Sequence, residues 1–379
     1  MTANTFAPIA PRPAPVRTEG WLAWTRINLF GTWQTGLGTL LIVAVLATLL
    51  PRLFHWAITD AVWVADYQLC HAASGACWGV VREKFRFILF GRYPFDEHWR
   101  ALVCTLLLLA LIIVSCMRAF WKPWLAAVWV AVLTVYFVLM RGGVLGLPPV
   151  ETDQWSGLPL TLLLASLSMG MAFPIALCIA LGRKSGMPAI RSLCTVYVEL
   201  IRGVPLISVL FMASFIFPLL MPPEGITLNL LVYKAHFQSV DVLIRVFAGI
   251  TLFAAAYMAE VIRGGLQAIP KGQIEAAATL GLSYWQMQRK IVLPQALAMV
   301  VPGIMNNFIS TFKDTSLVAI VSLYELTGAM GMAMNSDANW RPFRIEGYLF
   351  IALIYFVCCF SMSRYSLWIE TQVNKSKQR

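Results

Sequence analysis

Late in a long apolar run the chain carries Lys313-Asp314-Thr315-Ser316. A zwitterionic solute needs a cation for its carboxylate and an acceptor for its ammonium, and these residues offer both. Adjacent helical side chains diverge by about 100°, so Lys313 and Asp314 cannot both aim at one ligand. Thr315, Ser316 and Asn307, a turn or two away, would complete a polar lining. The competing reading is that Lys313 and Asp314 pair with neighbouring helices and hold a bundle together. Burying an ionised side chain in lipid costs at least roughly 2.5–3.5 kcal/mol, which makes such residues candidates for function.

A second charged set is Glu199, Arg202, Glu260 and Arg263. Glu260 and Arg263 are three apart, so they share a helix face and can pair; the set is expected to be structural or gating. Arg202 either joins it or snorkels to lipid headgroups. Asn306 and Asn307 suit interhelical hydrogen bonding. His55, Cys70, His71, Cys77 and His98 fall in one segment, but their spacing fits no zinc pattern, and no metal site is expected. Cys70 and Cys77 form a disulfide if that segment is periplasmic, or remain two thiols. There is no G-x-x-x-x-G-K-[ST] loop and no paired nucleophile and base. The chain is expected to be no enzyme and to hold no cofactor.

Residues this sparse in charge need apolar elements to position them. The 379 residues are 59% hydrophobic and 12% charged, against roughly 45–50% and 25% for soluble domains. With repeated apolar runs, this is a polytopic membrane chain of all-α class. The net charge of +11 then belongs to orientation and anionic lipid, not to nucleic acid. Eight spans are expected: Leu29–Leu50, Ala101–Met117, Pro123–Met140, Leu158–Leu181, one within Thr195–Met221, Val242–Ile262, Ala296–Val321 and Glu346–Leu367. Residues 1–28 read as a leader. Residues 29–157 form a three-span extension with a long loop at 51–100, part of which (Phe54–Leu69) suits an amphipathic surface helix. The Gly/Pro loop Arg141–Gly157 is the expected boundary of a core at 158–368, followed by a basic tail at 369–379. With eight spans both termini share a side, and that side holds 16 of the 29 Lys and Arg. The positive-inside rule makes it cytoplasmic and residues 51–100 periplasmic.

Between the sixth and seventh spans lies a polar island at residues 270–294, PKGQIEAAATLGLSYWQMQRKIVLP. It holds Glu275-Ala276-Ala277, three residues, Gly281, nine residues, then Ile291-x-Leu293-Pro294. This spacing resembles the cytoplasmic coupling loop of the membrane subunits of ATP-binding-cassette (ABC) importers. Three further stretches resemble the polar-amino-acid branch of that family: Glu199-Leu200-Ile201-Arg202-Gly203-Val204-Pro205-Leu206, Ala256 to Gly265, and Lys313 to Leu317. Val204 stands where that branch usually has Thr. The extra N-terminal spans make the whole chain similar to the larger permease subunits of general L-amino-acid uptake systems.

The resemblance implies a type I importer permease core of five helices in a bacterial inner membrane. It implies that Glu275, Ala276, Ala277 and Gly281 contact an ABC ATPase dimer, which would hold the ATP and Mg. It further implies a second, non-identical permease and a periplasmic amino-acid-binding protein as partners. Alternatives are a permease for another small polar solute, such as an opine, and a stand-alone secondary transporter.

Overall fold

The computed structural model describes residues 20–144, 146–219, 226–230, 233–237 and 241–377. The chain divides into two compact units, Met1–Gly79 and Val80–Arg379.

In the first unit, α1 (Trp21–Asn28) precedes α2 (Trp33–Phe54). Thr32 and Thr35 cap α2 reciprocally, satisfying amides its first turn leaves free. The expected amphipathic helix over Phe54–Leu69 does not form. Instead α2 ends in a π turn, His55–Thr59, and α3 is only Tyr67–Ala72. Two backbone bonds compete for the intervening residues: Val62 N–H donates to the Ala76 carbonyl and Gly79 N–H to that of Val62. Cys70 and Cys77 are disulfide-bonded, with Cα atoms 5.4 Å apart. Trp63 stacks on Trp78, whose indole donates to the Ala57 carbonyl. The result is a small closed module, not a surface helix.

The second unit begins with α4 (Gly79–Phe90), α5 (His98–Cys116) and α6 (Trp124–Arg141). These continue into α7 (Gly157–Arg183), α8 (Pro188–Arg202), α9 (Leu206–Phe211) and α10 (Phe217–Leu219). An antiparallel hairpin, β1 (Ile226–Leu230) and β2 (Tyr233–Phe237), lies before α11 (Val242–Gln267). Then come α12 (Lys271–Thr279), α13 (Tyr284–Met287), α14 (Leu293–Asp314), α15 (Leu326–Asn335) and α16 (Arg344–Lys377).

Helices α7 and α11 form the central pair. Ala172, Ala176 and Ala180 of α7 are fully buried in one apolar cluster with Ala255, Met258, Ala259 and Ile262 of α11. Small side chains let the two backbones approach, which is how helices associate in lipid without a hydrophobic driving force. Gly265 and Gly303 play the same part where α14 crosses α11. A Cβ at Gly265 would stand 2.8 Å from the Ala296 carbonyl, and one at Gly303 2.7 Å from Val261.

The packing boundary does not fall in the Gly/Pro loop. The second and third spans join the same core as α7, through Ala101, Cys104, Leu108, Tyr136 and Met140. Arg100 is the cause in part. Fully buried, it donates to the carbonyls of Leu139 (2.6 Å) and Pro148 (3.0 Å), closing the C-terminal end of α6. A cation there also suits the negative end of that helix. Tyr136 ties α6 to α7 by donating to the Pro159 carbonyl at 3.0 Å.

Among the described residues, seven helical segments are long and apolar enough to cross a membrane, and an eighth is a bent pair. That pair overlaps the fifth span expected within Thr195–Met221 and adds a bend to it. Pro188–Arg202 and Leu206–Ile216 meet at 106°. Pro205 supplies no N–H, and its ring drives Val204 out of helical geometry. Helix α8 is amphipathic: Val198 is buried in the core, while Leu193, Val196 and Leu200 stay exposed. Both the segment before Pro205 and the one after it pack against α11.

Candidate functional site

The coupling segment folds as a helical hairpin. Pro270 ends the run from α11 and opens α12. At the far end of α12, Leu282 N–H reaches the Ala277 carbonyl and Gly281 N–H reaches that of Ala278. This is a Schellman closure, which needs a left-handed residue at its centre. Gly281 takes that conformation, with φ +71°. Ser283 and Gln286 then form a capping box that starts α13. A π turn, Gln288–Val292, passes without a break into α14, and Pro294, which has no N–H to donate, stands just after that turn.

Glu275, Ala276 and Gly281 face outward. Ala277 does not. It is 1% exposed, so it packs beneath the hairpin and is unavailable to a partner, contrary to the expectation for it. The pattern of residue types gave no facing for three successive small residues. The outer surface is completed instead by Leu280, Tyr284 and Trp285, which are 75%, 47% and 69% exposed. Sequence reading did not single these out, although large apolar residues in a polar island are a usable signal.

Where α7, α8 and α11 meet, the four charged candidates come together around one carboxylate. Glu260 is held by Arg263 through two donors. It also receives Arg183 at 2.7 Å and lies 3.8 Å from Arg202. Arg183 reaches Glu199 at 3.1 Å, and Arg202 lies over the Tyr257 ring. Arg183 was not among the candidates, because its partner lies 77 residues away.

The tetrapeptide at 313–316 is divided. Thr315 is fully buried, with its hydroxyl on the Phe312 carbonyl at 2.7 Å. Ser316 and Asp314 are half-buried. Lys313 is exposed and makes no salt bridge among the described residues. It continues a face of α14 that also exposes Asn306 and Ser310. Their spacing of four and three residues is one helical stripe. Asn307 bonds its own helix, at the Gly303 carbonyl. An uncovered polar stripe on a span faces water or another protein, since lipid would leave its groups unsatisfied.

A further carboxylate escaped sequence reading. Glu325 is fully buried and caps α15, accepting from the N–H groups of Thr327 and Gly328. Tyr355 of α16 donates to it at 2.8 Å, and Thr161 of α7 bonds the Leu326 N–H. Burial pushes its pKa up, against those hydrogen bonds. Among the described residues no cluster of His, Cys, Asp or Glu is placed to hold a metal.

Residues 172–375 match the family described as binding-protein-dependent transport system inner membrane component. The chain is 43% identical to the inner membrane amino-acid ABC transporter permease protein YhdY of Escherichia coli, over 97% of both chains. It is 35% identical to the glutamate/glutamine/aspartate/asparagine transport system permease protein BztC of Rhodobacter capsulatus, again over 97% of both. Among solved structures, an amino acid ABC transporter crystallised with histidines aligns at 26% identity and a TM-score of 0.46. It covers 56% of this chain and 90% of its own. The chain belongs to the binding-protein-dependent transport system inner membrane components, the multi-pass permease subunits of ABC importers.

Proposed function

We propose that this subunit carries L-amino acids from a periplasmic binding protein into the cytoplasm, driven by a separate ABC ATPase dimer. The observation that carries the coupling part is the exposed hairpin of α12 and α13. Its surface of Glu275, Ala276, Leu280, Gly281, Tyr284 and Trp285 runs directly into the helix bearing the polar stripe. A push on the hairpin therefore reaches Asn306, Ser310 and Lys313 through one continuous helical rod. Full-length similarity to two amino-acid permeases supports the substrate class.

The chain itself hydrolyses no ATP in this reading; nucleotide and Mg belong to the ATPase. Both termini and the hairpin are cytoplasmic, from the distribution of Lys and Arg. The open stripe on α14 is covered by a second, non-identical permease, and the path runs between the two. Glu199, Arg202, Glu260 and Arg263 are structural in this scheme.

The test is purification from native membranes followed by reconstitution. The expected complex holds a Walker-motif ATPase pair, one copy of this chain and one different permease. It takes up amino acid only with ATP and loaded binding protein. Recovery without an ATPase overturns the coupling scheme, and two copies of this chain with no other permease overturn the heterodimer. A reporter fused after Arg379 that is active only in its periplasmic form overturns the topology.

A further inference from the structure

Arg245 lies in the first turn of α11, at the end farthest from the coupling hairpin. From there to Gln267 the helix rises about 33 Å. The side chain is half-buried and turned toward the bent fifth span. One guanidinium nitrogen donates to the Ser214 carbonyl within the π turn Met212–Ile216. Its Nε is buried and has no partner. The hydroxyl of Ser214, a residue only 7% exposed, is likewise buried and unpartnered.

No carboxylate answers this cation among the described residues. The nearest in sequence, Asp241, is engaged by the Leu243 N–H at 2.8 Å and by the Thr152 hydroxyl. The cation also sits at the positive end of its own helix, where an arginine is disfavoured and an anion is favoured. Buried polar groups left without partners are uncommon, and each one asks for an explanation. Here one group would satisfy all of them: an anion with several acceptor positions, held by the guanidinium and the hydroxyl together. The helices are close at this level, since a Cβ at Gly249 would stand 3.6 Å from that of Ala213.

We propose that Arg245 and Ser214 form a carboxylate-binding site at the outer end of the permease core, which takes the carboxylate of an amino acid as it leaves the binding protein. The site rests on the amino-acid reading above. Lys313 stands at the same end of the bundle, about 30 Å along α14 from the hairpin. Two cations that make no salt bridge among the described residues thus mark the end through which an anionic group enters.

The experiment uses the reconstituted complex with binding protein loaded with L-glutamine, or with whichever amino acid the parent complex takes up. Initial uptake is measured against the concentration of loaded binding protein, after assembly of each variant is verified. Arg245→Gln keeps a donor for the Ser214 carbonyl but removes the charge, and Arg245→Lys keeps the charge. The expected result is a fall in maximal uptake of about tenfold or more for Gln, the scale of one charged hydrogen bond, with Lys recovering most of it. Half-saturation by the binding protein should not move.

If Gln instead raises that half-saturating concentration and leaves the maximal rate intact, the carboxylate belongs to the binding protein, and the substrate assignment is overturned. Parent-like uptake by Gln overturns the site, leaving Arg245 as a cap on the π turn. If both variants fail or do not assemble, Ser214→Ala decides. It keeps the carbonyl bond, so reduced turnover supports the site and parent-like turnover overturns it. Failure of the parent complex to take up any amino acid overturns the amino-acid reading itself, and is visible before any variant is made.

Discussion

Arg183, the last residue of α7, and Glu260, near the end of α11, are joined at 2.7 Å. With Arg263, Arg202 and Glu199 they pin α8 across the ends of the central helix pair. Among the described residues Glu260 is the only carboxylate that meets all three arginines, and its side chain is 24% exposed.

Replacing it with an amide leaves three guanidinium groups facing one another. Glu260→Gln should cost about 1–3 kcal/mol, below the range for a fully buried pair because water still reaches the site. Arg202→Ala should cost less, since its distance is 3.8 Å. Thermal unfolding of the detergent-solubilised complex measures both, and equal losses would show that Glu260 is not the hub.

The hairpin offers a comparison between two glycines. A Cβ at Gly281 or at Gly272 would meet nothing within 4 Å, yet only Gly281 has positive φ. Gly281→Ala should therefore weaken the Schellman closure by roughly 1 kcal/mol, and Gly281→Val by more. Gly272→Ala should strengthen α12 by roughly 0.5–1 kcal/mol. Membrane insertion should be normal in all three. Co-purification of the ATPase should fall for Gly281→Val and for Trp285→Ala, whose side chain is exposed and meets only the edge of the neighbouring Tyr284 ring among the described aromatic pairs. Full ATPase recovery with both variants would remove the hairpin from the interface.

The hairpin was legible because its determinants are local: a glycine, two flanking prolines and a polar island in an apolar chain. What was illegible follows from distance and from facing. Nothing near Arg183 announces Glu260, and nothing near Glu325 announces Tyr355. The fifth span expected within Thr195–Met221 began partway along α8, which carries Leu193, Val196 and Leu200. Only their spacing shows that they lie on one face of a helix whose other face is packed. The run of Ala276, Ala277 and Ala278 carries the same limit on a smaller scale. Residue type says all three can dock closely, but only the fold says that the middle one already has. Arg100 was counted among loop charges, because a buried arginine that caps carbonyls has no sequence signature. The stripe Asn306, Ser310 and Lys313 was readable by helical periodicity, and the omission of Ser310 came from weighing charged groups before faces.

Glu325 gives a pH dependence with a definite sign. Burial raises its pKa above the ordinary 4.5. A raised carboxyl pKa means the fold favours the protonated group. That stabilisation is complete below the ordinary value and is lost as pH rises through the raised one. The parent should therefore lose stability relative to Glu325→Gln, which is neutral throughout, as pH rises above the ordinary carboxyl range. Glu325→Ala should be less stable than both by about 1–2 kcal/mol, having lost the cap on α15. Parallel stability profiles for parent and Gln variant would show that Glu325 does not titrate in this range.

Lys313 is the sharpest test of the translocation face. Sequence alone left two readings, a path residue or half of a structural pair. Lys313 makes no salt bridge among the described residues, and it extends the exposed stripe of Asn306 and Ser310. Lysine in an isolated span is costly, so the position is tolerated only beside water or protein. Thr315 is no longer a candidate for the same lining, because it is fully buried and bonded to its own helix. Lys313→Met keeps the length and apolar stem of the side chain and removes only the charge. With assembly and basal ATPase rate unchanged, it should reduce uptake by about tenfold or more, the scale of one charge-assisted contact. Lys313→Arg should recover part of the rate, because the charge returns in a different shape. Ser310→Ala should have a smaller effect, as a neutral hydroxyl contributes about 1 kcal/mol. Uptake by Lys313→Met at the parent rate would remove Lys313 from the path. Loss of the second permease on purification of the Met variant would instead show that the stripe's polarity serves subunit recognition.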